Sequence, residues 1–476
     1  MSDKKTNRKL VTVAMLVAIL LVAIDVTIVS TAMPKVVRDL NGLNLISWVF
    51  AIYTLTTSVT TPIYGKLADL FGRKKIFIIG VILFVGGSIL SGVSQTMMQL
   101  IIFRAIQGIG AGAVMPITFT IIGDLYPGEQ RAKMQGMFSA VWGIAGLLGP
   151  LVGGFLVDQI SWRWIFFINL PVGMVSLLLI VACFHESFEQ GKSHSIDYLG
   201  AITFTLGLSS LLYVLLNAGQ AFAWNSAPVY ALFAAFAIFM VTFGYLETKV
   251  SEPMLPPSLF RIPVIIVSNL VTLLASSVVI AVTVYLPIWI QTILEKSATS
   301  SGLTLMPMSV AWPLGAALAG RYMYRIGSKL TAVIGTVLVS LSGIWLAALS
   351  LASPYWYFVG IMVVIGFGMG YAMTPTTVLV QSAVGWGMRG AATASNMLMR
   401  SLGQTVGIAV FGTIFNNALL SEKAQSTSSS AVHTAMASGI HHVFVFVFFI
   451  GIVTLIVSLL LPSHQKVIAQ QKQVAN

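Results

Sequence analysis

Three charged residues stand where charge is expensive. Asp25 lies in Leu21-Val22-Ala23-Ile24-Asp25-Val26-Thr27-Ile28-Val29, Arg104 in Leu100-Ile101-Ile102-Phe103-Arg104-Ala105-Ile106, and Arg400 in Met397-Leu398-Met399-Arg400-Ser401-Leu402. A charged group inside an apolar run must be paired, neutralised by a proton, or turned toward a water-filled cavity, so function is the default reading. At a helical rise of 1.5 Å per residue, Asp25 sits about 20 Å in from the start of its run and Arg104 about 8 Å in from the opposite face. Both then occupy the same half of a bilayer and can pair. A carboxylate in a cavity that opens alternately to each side would load and release a proton, with the arginine as its modulator. A structural pair that never titrates is the alternative. Arg400 has no evident acid to meet, and would bind backbone carbonyls, a polar neighbour or an anionic group of a ligand.

A second charged group is Gly65-Lys66-Leu67-Ala68-Asp69-Leu70-Phe71-Gly72-Arg73-Lys74-Lys75, set between apolar runs at 47–64 and 76–93. Gly65 and Gly72 permit a tight reversal. Asp69 and Arg73 are four apart and share a face if the turn is helical. Asp124, at the end of another apolar run, is a further partner for Arg73; the three together would latch helices to one another, or serve only as positional anchors. The turn recurs as Gly320-Arg321-Tyr322-Met323-Tyr324-Arg325-Ile326-Gly327-Ser328-Lys329, 255 residues on, with its acid replaced by Tyr324. Gly108-x-Gly110-x-Gly112-x-x-Met115-Pro116 recurs as Gly366-x-Gly368-x-Gly370-x-x-Met373-Thr374-Pro375, now offset by 258, as are Arg131 with Arg389, Gly149 with Gly407 and Gly154 with Gly412. Matches at nearly constant offset argue for a duplicated unit of about six spans.

The elements that must position these residues follow from composition. Of 476 residues, 57% are hydrophobic and only 8% charged, against roughly 25% charged in soluble domains. About fourteen runs of ~20 apolar residues recur from end to end, each long enough to cross a ~30 Å hydrocarbon core. Backbone groups in lipid must be satisfied internally, so the runs are expected to be helices. The expected fold is an all-α membrane protein: an N-terminal six-helix bundle over 1–184, a linker with two inserted transmembrane helices over 185–262, and a C-terminal six-helix bundle over 263–476. Basic residues set the orientation. Nineteen of the 26 Lys and Arg fall on the side that holds both termini, which marks that side as cytoplasmic. The net charge of +12 is thus a topology signal and implies no nucleic-acid partner.

Other chemistry is weakly represented. The single Cys183 excludes an internal disulfide, the six histidines show no metal-ligand spacing, and no nucleophile constellation appears. Gly191-Lys192-Ser193 lacks the earlier glycine of a phosphate loop, since position 186 is Glu. The chain is therefore expected to be no enzyme, to hold no cofactor and no metal, and to draw its energy from an ion gradient. The outer segment 417–440, rich in Ser and Ala, is expected to be a mobile loop or a short surface helix.

These motifs resemble those of the major facilitator superfamily of membrane transporters. The Gly65–Lys75 turn matches its loop signature at every specified position. Arg104, Gln107, Gly108, Gly110 and Ala111 match its fourth-helix motif, whose arginine is associated with proton coupling. Ala145-x-x-x-Gly149-Pro150-x-x-Gly153-Gly154 resembles its antiporter motif, with Ala145 in place of the first glycine. Trp162-Arg163-Trp164-Ile165-Phe166-Phe167-Ile168-Asn169-Leu170-Pro171-x-Gly173, with Asp25-x-Thr27-Ile28-Val29, resembles the fourteen-helix drug:proton antiporter family. Without that resemblance, Trp162 and Trp164 would read as interfacial anchors.

The resemblance implies a major facilitator fold and proton-coupled multidrug efflux of amphipathic, neutral or monocationic compounds by alternating access. Asp25 and Arg104 would serve proton coupling, while Gly65, Asp69, Gly72, Arg73 and Asp124 would form a cytoplasmic gate. Gly149, Pro150, Gly153 and Gly154 would form the antiporter motif. Candidate cavity residues are Trp48, Tyr53, Met115, Trp142, Tyr285, Trp289, Trp312, Tyr371, Met373 and Arg400, the Met and aromatic members suiting either a promiscuous apolar pocket or ordinary packing. The expected partners are the lipid bilayer, small amphipathic substrates and protons, for a monomer in a bacterial cell membrane. A dedicated exporter of an endogenous lipid, fatty acid, metabolite or peptide is the alternative, and a non-transporting sensor on the same fold a more distant one.

Overall fold

The structure, a computed structural model, describes residues 6–40, 45–186, 197–219, 222–296, 298–350, 353–423 and 429–462. Residues 191–193, weighed above as a phosphate loop, lie outside them. The described chain is helical. Its first five helices are α1 (Arg8–Leu40), α2 (Ile46–Phe71), α3 (Arg73–Gly92), α4 (Met97–Leu125) and α5 (Gly128–Gln159). A broken span follows as α6 (Trp164–Phe167) and α7 (Asn169–Cys183), then α8 (Tyr198–Asn217) and α9 (Ala227–Glu247). The remaining helices are α10 (Pro263–Ile288), α11 (Ala298–Ile326), α12 (Ser328–Ala347), α13 (Tyr355–Ser382), α14 (Arg389–Lys423) and α15 (Ser429–Leu459). Thirteen stretches of these are long and apolar enough to cross a membrane. The Thr-rich α2, 26 residues long, makes the fourteenth span.

These helices are apolar nearly all round, which is the mark of a helix solvated by lipid rather than water. Large side chains such as Phe155 (62% exposed), Leu178 (61%) and Val241 (73%) point outward. Trp162 and Trp164 are not equivalent. Trp164 is exposed, but Trp162 is fully buried and donates its indole N–H to Asp39 Oδ2 at 2.9 Å. The 417–440 segment is not a separate surface element: α14 runs on to Lys423 and α15 already begins at Ser429.

The chain divides into two compact units. One comprises Met1–Ser209, Phe239–Leu259 and Val384–Leu398, the other Ser210–Ile238, Phe260–Ala383 and Met399–Asn476. In the first, the glycines of α4 set the packing. A Cβ at Gly108 or Gly112 would meet Thr56 or Thr60 of α2 at 2.1 Å, and one at Gly110 would meet the backbone of α3 at Phe84, 2.3 Å away. Successive glycines thus seat α4 against α2 on one side and α3 on the other. In the second unit, Gly366 and Gly370 press α13 onto α11, and Gly368 presses it onto α12. The repeated motif has one packing job, performed twice.

Gly72 separates α2 from α3 with φ 91° and ψ 141°, a conformation open essentially to glycine alone. Its N–H closes α2 onto the Ala68 carbonyl at 3.1 Å. Gly327 stands between α11 and α12 with φ 91° and ψ 144°.

Candidate functional site

Inside the first unit, Asp25 of α1 is fully buried and both its oxygens are occupied. Arg104 Nη1 of α4 donates to Oδ2 at 2.6 Å. Gln107 Nε2, one turn further along α4, donates to Oδ1 at 2.8 Å, and Asn169 Nδ2 of α7 donates to the same oxygen at 3.0 Å. Gln107 ties the pair together, because its Oε1 accepts from Arg104 Nη1 at 2.8 Å. Asn169 is held in turn by Ser88 Oγ of α3 at 2.9 Å, whose hydroxyl donates to the Phe166 carbonyl at 2.8 Å. The Arg104 guanidinium also lies 4.1 Å from the centre of the Tyr53 ring on α2. Among the described residues the Tyr53 hydroxyl and Arg104 Nε have no hydrogen-bond partner.

This arrangement stabilises a carboxylate. A buried charge is tolerated when its partner and further hydrogen bonds satisfy it, and removing one partner typically costs about 3–5 kcal/mol. Protonation of Asp25 would cancel the attraction to Arg104 and release a cation held otherwise by one amide oxygen and an aromatic face.

The antiporter-motif residues lie beside this cluster. Thr27, two residues beyond Asp25, donates from Oγ1 to the Ala145 carbonyl of α5 at 3.1 Å. A Cβ at Gly149 would strike that hydroxyl at 2.1 Å. Gly149 and Gly153 are buried. Gly154 differs, since a Cβ there would meet nothing within 4 Å. Pro150 falls within α5.

A second polar cluster gathers where α2, α3, α4 and α14 end. Arg73 is fully buried and reaches Asp69 Oδ1 at 3.2 Å and Asp124 Oδ2 at 2.5 Å. It also donates to the Trp386 carbonyl at 2.9 Å, with its guanidinium 4.0 Å from the Trp386 ring centre. Asp69 caps the start of α14, accepting from the backbone N–H of Gly390 at 3.1 Å and Ala391 at 3.0 Å. Negative charge at a helix N-terminus is favourable because the first turn's N–H groups lack partners. Gly65 permits the approach: a Cβ there would meet Ala394 Cβ at 2.5 Å and the Gly390 carbonyl at 2.9 Å.

Arg389 completes the cluster by pairing with Asp124. The sequence marks Arg389 as the repeat mate of Arg131 and as one of the basic residues on the side that holds both termini, and nothing in it sets Arg389 against Asp124. Two other carboxylates were missed. Glu186 accepts from the backbone N–H of both Arg73 and Lys74 at 3.0 Å, capping α3. Glu252, in the connection after α9, pairs with Lys66 at 2.8 Å. Both acids sit in short polar connections that carry other charges, Glu189 and Lys192 near the first and Glu247 and Lys249 near the second, so composition did not single them out.

The cavity candidates fall in both units. In the first, Tyr53 stacks on Arg104, Met115 and Trp142 pack against the core of α1, α3 and α4, and Trp48 is half-buried. In the second, Tyr285, Trp289 and Met373 belong to the core and Trp312 packs against it. The Arg400 guanidinium lies 5.5 Å from the Trp312 ring centre. Tyr371 lines a groove among α11, α12 and α13. Among the described residues no three His, Cys, Asp or Glu side chains gather as a metal site would require.

Comparison with known proteins places these features in a family. The description of the Major Facilitator Superfamily matches residues 15–408. The chain is 38% identical over 414 residues to Multidrug resistance protein 3 of Bacillus subtilis (strain 168), covering 87% of this chain and 81% of that protein. It is 37% identical over 413 residues to Multidrug transporter protein MdtP of the same organism, covering 87% and 76%. In fold it resembles the human organic anion transporter MFSD10 (TETRAN), with a TM-score of 0.67, 12% identity and coverage of 95% and 100%. It likewise resembles the proton:xylose symporter XylE, with a TM-score of 0.68, 16% identity and coverage of 97% and 98%. With fourteen membrane-spanning helices, a duplicated glycine framework and these relatives, the chain belongs to the Major Facilitator Superfamily of membrane transport proteins.

Proposed function

We propose that this transporter is a proton-coupled efflux antiporter for amphipathic, neutral or monocationic compounds, working by alternating access in a bacterial cell membrane with both termini cytoplasmic. The observation that carries the reading is the buried Asp25 with Arg104, Gln107 and Asn169 around it. It is an acidic group buried among membrane-spanning helices, and in this reading its protonation would change how α1 and α4 are held. The names of its Bacillus relatives, a multidrug resistance protein and a multidrug transporter, supply the substrate class. The halves are 1–184 and 263–476, with 185–262 carrying the inserted pair, and the protein works as a monomer.

In this reading Asp25 is the proton carrier and Arg104 the group that displaces its proton. Gly149, within the motif Gly149-Pro150-x-x-Gly153-Gly154, keeps α5 close against the helix that carries Asp25. Gly65, Asp69, Gly72, Arg73 and Asp124 form the cytoplasmic gate, and Arg389 is one of its charged members. The aromatic and Met side chains named above give the cavity adaptable apolar contacts.

The test is dye-driven proton movement in inverted vesicles, comparing wild type with Asp25→Asn. Coupled flux lost in a variant that still folds and binds dye supports the carrier role. Unchanged coupling removes Asp25 from it. A second reading rests on Arg400, which has no salt bridge among the described residues and lies against Trp312. That pairing favours export of an anionic amphiphile such as an endogenous fatty acid. Competition of oleate with dye, weakened by Arg400→Gln, would favour this reading over the first.

A further inference from the structure

The second unit carries an open groove of about 410 Å³ between α11, α12 and α13. Leu318, Tyr322 and Ile326 form one wall, Ile334 another, and Phe367 and Tyr371 the floor. Leu318, Tyr322, Ile326 and Ile334 are each between 36% and 42% exposed. On membrane-spanning helices such exposure opens to hydrocarbon, so the natural occupant is an apolar chain rather than water.

Charge at one end of the groove narrows the choice. Arg325 follows Tyr322 by three residues and so shares its face. Arg321 precedes it by about one turn of α11, and Lys329 opens α12 just past the Gly327 turn. The sequence from 296 to 421 holds no Asp or Glu, and among the described residues none of the three cations has a salt bridge. The first repeat treats its cations differently. Lys66, which corresponds to Arg321, pairs with Glu252. Lys74, which corresponds to Lys329, donates to the Val181 and Phe184 carbonyls at 2.9 and 2.5 Å. Among the described residues the second repeat thus presents positive charge without a salt bridge at one end of an apolar groove.

We propose that this groove is a binding site for one anionic phospholipid. An acyl chain lies along Leu318, Ile334 and Phe367, and Arg325 with Lys329 receives the phosphate. The Tyr322 hydroxyl, on a residue about 4–5 Å deeper along the helix than Arg325, is the donor for an ester carbonyl. Basic residues beside membrane helices recognise anionic headgroups in this way.

Native mass spectrometry of the full-length protein, exchanged into phosphatidylglycerol or phosphatidylcholine, tests the site directly. Wild type should retain a single tightly held phosphatidylglycerol in clear preference to phosphatidylcholine. The R325Q/K329Q variant should lose roughly tenfold of that preference, and R325K should keep it. Ile334→Trp, which fills the groove, should lose the bound lipid whatever its headgroup. Equal retention of both lipids by wild type overturns the proposal. So does headgroup preference that survives R325Q/K329Q, or that persists undiminished in Ile334→Trp, since the lipid would then sit on the basic turn alone.

Discussion

The turns Gly65–Gly72 and Gly320–Gly327 share a backbone and differ in chemistry. Gly72 and Gly327 both have φ 91°, with ψ within a few degrees, and each sets the start of the next helix. Yet the first turn carries Asp69 and Arg73, tied to Asp124 and to the N-terminus of α14. The second has Tyr324 and Ser328 at those places. The same contrast runs through the glycine-rich helices. Arg104 and Gln107 of α4 correspond to Met362 and Ile365 of α13, both fully buried in an apolar core. Duplication preserved the geometry that glycine controls, while among the described residues the acids of these ion pairs, Asp25, Asp69 and Asp124, all lie in the first copy. Packing and charge are therefore separable layers of this molecule, and each can be broken alone.

The largest expected effect is at Asp25. Asp25→Asn should abolish proton-coupled efflux, measured by vesicle acidification, while the protein remains folded. Arg104→Met should be worse for folding, since it leaves a buried carboxylate unpaired at a cost of about 3–5 kcal/mol. Adding Asp25→Asn to it should restore much of the melting temperature and none of the coupling. If efflux survives in the double variant, the chemistry is not confined to this repeat.

Next come the two glycines. Gly72→Ala and Gly327→Ala should each cost about 1–3 kcal/mol, the strain of a non-glycine residue in that backbone region. Similar losses in thermal stability are expected, with transport rate reduced more by Gly72→Ala because the turn beside it also holds the latch. A large difference in stability would show that the shared backbone is not the shared determinant.

Smaller still is Asp69→Asn, which weakens bonds to Arg73 and to two backbone N–H groups. It should destabilise by about 1–3 kcal/mol and slow dye efflux several-fold, whereas Tyr324→Asp should leave efflux unchanged. Equal effects would erase the asymmetry between the turns. The smallest is Glu252→Gln. Its pair with Lys66 is partly solvated, with the Glu252 side chain 38% exposed, so a loss of about 0–1 kcal/mol and less than a twofold change in efflux are expected.

Much of this was legible in residues one at a time. Asp25 and Arg104 are conspicuous because charge in an apolar run is rare, and their depths along two helices already placed them level. Gln107 and Asn169 were visible only as parts of motifs. Nothing in their spacing, 82 and 144 residues from Asp25, says that both amides turn toward one carboxylate. Arg389 hid for the same reason, since a basic residue at a helix start reads as a topology anchor until its neighbour Asp124 is known. The 417–440 segment misled in the opposite direction: its polar Ser-rich composition reads as loop, but helices entering from both sides extend through much of it.

The sequence by itself determined the membrane-spanning helices, the duplicated framework and the positions of the costly charges. These follow from local properties: run length against bilayer thickness, glycine at forced turns, and the price of charge in hydrocarbon. Only the tertiary structure decided which amides close around Asp25, which backbone N–H groups Asp69 caps, and which cations each acid among the described residues pairs with. Those pairings join side chains far apart in the chain, and depend on how each helix is rotated about its axis. That rotation is set by the packing of many apolar side chains and small-residue contacts at once.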